Sequence, residues 1–476
     1  MFSLQRKILK IRSLYQTMRN TKNAKTWSAP LPSLWGMTAD ANGHLMLGGC
    51  DCREIVDLYG TPLHVMDEAL LRSSYVRFSK AFARHGIRCE IYYSYKTNPV
   101  PGILKVLHDE GAGAEVISPF ELWLALELKV SPDAIIYNGP GKSPEGLRLA
   151  IEKGIRRINI NSFCELDLIE ALAAEIGAKP TVGVRLYTGV GWGDQFGFGI
   201  ESGDAWRVFE RLSRTKAVEI DGVHFHLGSQ IHTPQLYEAA ALVALKFLAK
   251  IKEAFGLRIN SFDLGGGFGV PTVRVYEQAD QWLQRFLQSP YASPQQSGIP
   301  SVEAFAEAIA RAIRSGCMKH GLDIPTLVFE PGRIVSSSAQ ALLARVIEIK
   351  SQKAGPDIAV LDTGINIASP VRWEYHEVLA ATKITAEHDR LYRLAGPLCT
   401  PGDLLSPCKR LPPLQTGDVM AIMDAGAYFS SFENNFSFPK PSIVVVRKGN
   451  HSLIRTRETF EDLVQRDRRN NGSMGS

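Results

Sequence analysis

From about residue 63 to 335, short apolar runs alternate with amphipathic helical stretches, and nothing else in the chain restricts its fold as strongly. The runs LHVMD (63–67), EIYYSYK (90–96), AEVIS (114–118), AIIYN (134–138), RININ (157–161), TVGVRL (181–186), GVHFHL (222–227), SFDLGGG (261–267) and TLVFE (326–330) have strand length. Most are separated by stretches of helical period, such as EALLRSSYVRFSKAFARHG (68–86), PFELWLALEL (119–128) and CELDLIEALAAEI (164–176). Repeated strand–helix units demand crossovers, and crossovers make strands parallel. The nine runs stand close to the eight strands of a closed (β/α)8 barrel. A doubly wound open sheet competes, but no Gly-x-Gly-x-x-Gly opens a helix near the start.

After about residue 340 the texture changes. ALLARVIEIKSQ, DIAVLDTGI, HDRLYRLAGPLC, DVMAIMDAG and PSIVVVRKG are strand-like and separated by turns, which predicts an antiparallel β domain. The expected fold is therefore α/β plus β: a TIM-like barrel followed by a C-terminal antiparallel β-sandwich or barrel. Its expected parts are a basic arm (1–30), a stretch joining the β domain (31–66, containing HLMLGG), the barrel (67–338), the β domain (339–465) and a disordered tail (466–476). FLQSPYASPQQSGIP (286–300) is rich in Ser, Pro and Gln and reads as a surface loop.

Composition closes off several function classes. A 476-residue chain with 45% hydrophobic residues forms its core without disulfides or structural metals. A net charge of +5 is small for this length and implies no nucleic-acid partner. The seven cysteines are odd in number and scattered, which suggests no disulfide framework. Cys50 and Cys52 lack a second pair at zinc-ligand spacing, so no metal is expected, and a reducing cytoplasm fits. No stretch approaches the ~20 apolar residues of a membrane span. Residues 1–30 carry seven Lys or Arg and no acid, which suits a transit peptide or a mobile basic arm, and the arm is the reading taken.

Chemistry concentrates where predicted strands end. Lys96 closes EIYYSYK, and the carboxyl ends of barrel strands carry catalysis. A lysine there can attack a carbonyl once its amine loses its proton, although alone it reads as a solvated strand end. His226, in His-Phe-His-Leu-Gly-Ser-Gln (224–230), could stack on a flat ring or simply pack in the core. Gly265, Gly266 and Gly267 could bring backbone N–H groups to a phosphate, though glycine runs are also common in turns. Glu330, in Glu-Pro-Gly-Arg, could pair with a protonated pyridine nitrogen, and Arg333 could grip an anion. Taken separately, Glu330 and Arg333 also suit a surface ion pair. Cys399 lies in Gly-Pro-Leu-Cys-Thr-Pro-Gly-Asp (396–403), and Tyr428 in Gly-Ala-Tyr.

The order of these motifs is specific. Y-S-Y-K-T-N, G-A-G-A-E-V-I-S, H-F-H-L-G-S-Q-I, D-L-G-G-G-F-G, E-P-G-R, G-P-L-C-T-P-G-D and G-A-Y, framed by Y-G-T-P-L-H-V-M-D-E and I-R-T-R-E-T-F-E-D-L, resemble the alanine-racemase-fold amino-acid decarboxylases. Within that group they look most like the diaminopimelate decarboxylases, over about residues 45 to 465. The resemblance implies a pyridoxal 5'-phosphate enzyme that removes an α-carboxylate. Lys96 would hold the cofactor, His226 would stack on it, and Glu330 would hold its ring nitrogen. Glu115 matches an acidic position near lysine and ring. Gly265 to Gly267, Ser229, Arg333 and Tyr428 would surround the phosphate. Cys399 would return a proton to the α-carbon from the partner subunit of a homodimer.

Two departures concern the far end of the substrate. The family's Cys-Glu-Ser-Gly-Asp is Cys399-Thr400-Pro401-Gly402-Asp403 here, without the Glu. Its Arg-Pro-Ala-Leu-Tyr is Ser369-Pro370-Val371-Arg372-Trp373, with serine in the arginine position and Arg372 close by. The usual Lys-Phe-Gly is Gln195-Phe196-Gly197, and 270–300 is longer than usual. Substrate contacts are therefore expected from Arg333, Ser369, Arg372, Thr400 and Asp403. The expected substrate is a modified or conjugated amino acid, such as a siderophore precursor. Diaminopimelate itself, a racemase reaction and a non-catalytic homologue are the alternatives.

Overall fold

The computed structural model describes residues 30–467, except 194, 278–279, 281–283, 285–286, 289 and 292–298. The expected basic arm and tail lie outside the described residues but for Pro30, Arg466 and Asp467. The chain divides into two compact units. A barrel unit holds 71–271 and 296–337, and a β unit holds 1–70, 272–295 and 338–476.

Eight parallel strands form the barrel: β1 (Cys89–Ser94), β2 (Gly113–Val116), β3 (Ile135–Tyr137), β4 (Arg157–Ile160), β5 (Thr181–Tyr187), β6 (Glu219–His224), β7 (Ser261–Asp263) and β8 (Thr326–Phe329). Each pairs with its successor, and β8 pairs with β1, so the sheet closes. Serines start four of the helices. The side chains of Ser118, Ser143, Ser162 and Ser301 each accept a backbone N–H of the first turn. Left-handed glycines end four, at Gly154, Gly177, Gly256 and Gly321.

The barrel interior holds a buried cation. Arg157 is 1% exposed, and its guanidinium reaches Asp263 at 2.7 Å and Asp221 at 3.2 Å. Glycines on the next strands make room for it. A Cβ at Gly183 would lie 3.0 Å from the Arg157 stem, and one at Gly222 would lie 3.0 Å from its guanidinium.

The run LHVMD, counted above among the barrel candidates, belongs to the β unit. Leu63–Asp67 pairs antiparallel with Gln340–Lys350 and parallel with Ser442–Arg447. Its five residues are all buried, so burial on both faces erases the alternation that separates a sandwich strand from a barrel strand. The β domain is also mixed rather than purely antiparallel, since Asp357–Leu361 and Arg390–Ala395 run parallel. HLMLGG contributes Leu45–Leu47 to a separate three-stranded sheet. Along Gln340–Lys350 the pleat sends Ala341 and Leu343 into one apolar core and Leu342, Ala344 and Val346 into another.

Segment 272–295 groups with the β unit. Arg274–Val275 pairs with Glu374–Tyr375. Tyr291, inside the stretch expected as a surface loop, is buried. Its ring stacks on Tyr375 at 4.9 Å, beneath the Arg274 guanidinium at 4.1 Å. Residues 292–298 lie outside the described residues.

Candidate active site

The ends of the barrel strands carry a connected set of polar side chains. Lys96 follows β1 on a short 3-10 turn, Tyr95–Thr97. Its Nζ lies 2.7 Å from Ser94 Oγ and 2.7 Å from Glu115 Oε2 on β2. Glu115 is fully buried, whereas the Lys96 side chain is 31% exposed. The amine thus meets solvent on one side and a buried anion on the other.

Glu330 follows β8 and is 3% exposed. Asn138, after β3, donates to it at 2.6 Å and to Glu115 Oε1 at 2.9 Å. His224, at the end of β6, places Nε2 3.6 Å from Glu330. Burial opposes the charge on Glu330, yet His224 and then Lys96 hold its carboxyl below the ordinary range. Burial and then Glu330 push the carboxyl of neighbouring Asp263 up, against the pull of Arg157 and the Gly265 N–H. Arg185 on β5 is half-buried, within electrostatic reach of Glu330, Glu115 and Asp263.

His226 is a neutral imidazole. Desolvation and then the Lys96 cation lower its pKa to about 3. The N–H of Gly266 donates to its Nδ1 at 3.3 Å, so the ring proton sits on Nε2. Trp192 lies beside it, ring centroids 6.1 Å apart. The glycine run is needed for close packing. A Cβ at Gly266 would lie 2.2 Å from the Glu330 carbonyl, and one at Gly267 the same distance from the Gly228 carbonyl. Gly265 donates to Asp263 at 3.0 Å. The N–H groups of Gly265 and Gly266 are thus spent inside the barrel, on side chains at strand ends. Ser229 stands half-buried in the loop after β6, and Arg333, buried, opens the turn after Gly332.

These residues suit pyridoxal phosphate. A lysine amine beside a buried carboxylate, a neutral imidazole and a second buried carboxylate kept charged are what an electron-poor pyridine ring requires. Among the described residues, both ring nitrogens of His224 lack a hydrogen-bond partner close to Glu330. His224, Asp263 and Glu330 also have the mutual spacing of a metal site. Arg157 on Asp263 and Asn138 on Glu330 fill those carboxylates with donors instead.

The remaining predicted residues lie in the β unit. Cys399 is exposed, and Thr400 is half-buried beside it. Asp403, expected to touch substrate, has both oxygens on backbone: Oδ1 accepts from Ile365 at 2.8 Å and Oδ2 from Leu398 at 2.7 Å. The Ser369 hydroxyl lies 2.8 Å from the Ile365 carbonyl and 3.3 Å from that of Phe432. Arg372 is exposed. Tyr428 has a left-handed backbone (φ 69°), just ahead of a short helix, Phe429–Phe432.

Asn138, Arg185 and His224 escaped the sequence reading. Asn138 and His224 carry the signal that picks out Lys96, a polar residue at the carboxyl end of a barrel strand, whereas Arg185 lies inside β5.

Comparison with known proteins agrees with this geometry. Residues 68–337 match the family model "Pyridoxal-dependent decarboxylase, pyridoxal binding domain". A diaminopimelate decarboxylase of Methanothermobacter thermautotrophicus is 32% identical over 433 residues, 89% of this chain and 95% of that protein. One from Bacillus subtilis is 31% identical over 443 residues, 90% and 95% of the two chains. The crystal structure of the Methanocaldococcus jannaschii diaminopimelate decarboxylase superposes with a TM-score of 0.82 at 29% identity, covering 90% of this chain and 97% of that one. A chain that matches the family model over its whole barrel, and these relatives over nearly their whole length, belongs to the pyridoxal-phosphate-dependent amino-acid decarboxylases, carboxy-lyases similar to diaminopimelate decarboxylase.

Proposed function

We propose that this decarboxylase removes the α-carboxylate of an amino acid whose far end is conjugated, for example a citryl-amino acid of siderophore assembly. The observation behind this reading is the pair Thr400 and Ser369, which stand where the family carries a carboxylate and a guanidinium. Each buried charge-assisted bond is worth about 1.5–3 kcal/mol, so their joint loss removes most of the grip on a charged far end. The Ser369 hydroxyl is moreover directed at backbone carbonyls.

Bound pyridoxal phosphate supplies an electron sink for the pair of electrons that the departing carboxylate leaves behind. The chain's own residues do the rest. Glu115 and Ser94 orient Lys96 Nζ and hold or take up its protons. Charged Glu330 would hold a proton on the ring nitrogen, and neutral His226 would cover the ring without adding charge. Ser229, Gly267 and Arg333 would hold the phosphate, and the family resemblance gives Tyr428 the same role. The Cys399 thiol returns a proton to the α-carbon, and its exposure on a single chain suits delivery into a partner's site in a cytoplasmic homodimer.

The names of the relatives favour a second reading, that diaminopimelate itself is the substrate. Carbon dioxide release from meso-diaminopimelate and from N-acylated or citryl-amino acids decides between them. The conjugates should give the higher kcat/KM. A paired Ser369→Arg, Thr400→Glu variant should shift preference toward diaminopimelate. Efficient turnover of meso-diaminopimelate by the unaltered enzyme would overturn the first reading.

A further inference from the structure

We propose that Asn138 is a positioning residue that couples the carboxylate at Lys96 to the carboxylate at the ring nitrogen, so that the two ends of the cofactor site titrate together. The inference rests on the assignment of Lys96, Glu115 and Glu330 to the cofactor. A carboxamide has two N–H groups in one plane. Those of Asn138 go one to Glu115 Oε1, at 2.9 Å, and one to Glu330 Oε1, at 2.6 Å. The orientation of the amide is fixed, since its oxygen accepts from Asn159 Nδ2 at 2.7 Å. All four side chains are at most 3% exposed. Two buried anions this close raise one another's proton affinity, and a shared neutral donor offsets that without adding a charge. Aspartate would add a third anion here, and leucine would leave both acceptors short of a donor.

The backbone around Asn138 is pinned to match. Its N–H donates to Val116 at 2.7 Å. At Gly139 (φ 91°) the chain turns so sharply that a Cβ would lie 2.5 Å from the Ile117 carbonyl. Lys142, otherwise without a task in the reaction, then clamps both asparagine segments. Its buried Nζ donates to Gly139 O and Asn159 O, each at 2.8 Å, and is held by Glu165 at 2.7 Å.

The test uses holoenzyme and reads the visible absorbance of bound pyridoxal phosphate against pH, together with the cofactor's dissociation constant. In Asn138→Ala both carboxylates lose a donor and hold protons more tightly, so the midpoint of the absorbance titration moves upward. Cofactor affinity falls roughly tenfold or more, as expected for charge-assisted bonds. Asn159→Ala leaves Asn138 in place but frees its amide, and moves both quantities in the same direction by less. A folded Asn138→Ala with unchanged midpoint and affinity overturns the proposal. Should Asn138→Ala fail to fold, an unchanged midpoint in Asn159→Ala overturns it. If the unaltered protein takes up no pyridoxal phosphate, the cofactor assignment falls first.

Discussion

At the residues assigned to the reaction, the barrel unit and the β unit use polar side chains in opposite ways. At the barrel's strand ends, side chains satisfy one another: Lys96 with Glu115, and Asn138 with both carboxylates. In the β unit, Asp403 and Ser369 are turned to backbone groups, Asp403 to Ile365 and Leu398 and Ser369 to Ile365. A network of mutually dependent charges is costly to alter one residue at a time, because each loss strands a buried partner. Loops whose polar groups serve their own backbone can change an exposed neighbour without that cost. On the proposed function, the residues around the cofactor ring belong to the barrel, while Ser369 and Thr400, assigned to the substrate's far end, belong to the β unit.

The sharpest way to break this contrast is Lys96→Ala. It should abolish both the visible absorbance of bound cofactor and carbon dioxide release. A variant that keeps both would remove the barrel from the chemistry. Cys399→Ala should instead keep the absorbance while kcat falls by about 10²–10⁴, the range for a lost proton donor. Loss of cofactor binding in that variant would blur the two regions into one.

Asp403→Ala sharpens the β-unit side. It strands two backbone N–H groups, so urea unfolding should show a loss of about 2–4 kcal/mol. A raised KM at unchanged stability would instead make Asp403 a substrate contact. The smallest effect concerns Glu121 in the barrel unit, whose pKa burial and then Glu115 raise from 4.5 to about 7. An acid raised on folding contributes stability below its unfolded pKa and loses it as pH climbs through the folded one. Between pH 4.5 and 7 the fold should lose up to about 2–3 kcal/mol from this group. Glu121→Gln should flatten that slope in unfolding measured at pH 5 and pH 8. An unchanged slope would show that Glu121 is not strained by the charges around it.

The barrel was legible in the sequence because alternating strand runs, helical stretches and strand-end residues are local signals. Eight of the nine runs form it, and Lys96, Glu115, His226 and Glu330 occupy the strand ends that their motifs indicated. LHVMD was misplaced because a strand buried on both faces looks alike in either unit. Tyr291 was hidden because its partner, Tyr375, is 84 residues away, and no local pattern encodes such a stack. Asn138 was quoted as the last letter of a strand, and its importance appears only once β2, β3 and β8 bring three residues together.

The placement of Leu63–Asp67 carries a consequence for synthesis. This early strand lies between Gln340–Lys350 and Ser442–Arg447, which leave the ribosome hundreds of residues later. Until then five apolar-flanked residues wait with both edges open, the condition under which chains pair with the wrong neighbour. Nascent chains stalled before residue 442 should accordingly need a chaperone or aggregate, and a C-terminal deletion that reaches Ser442–Arg447 should damage the fold through a strand near its beginning.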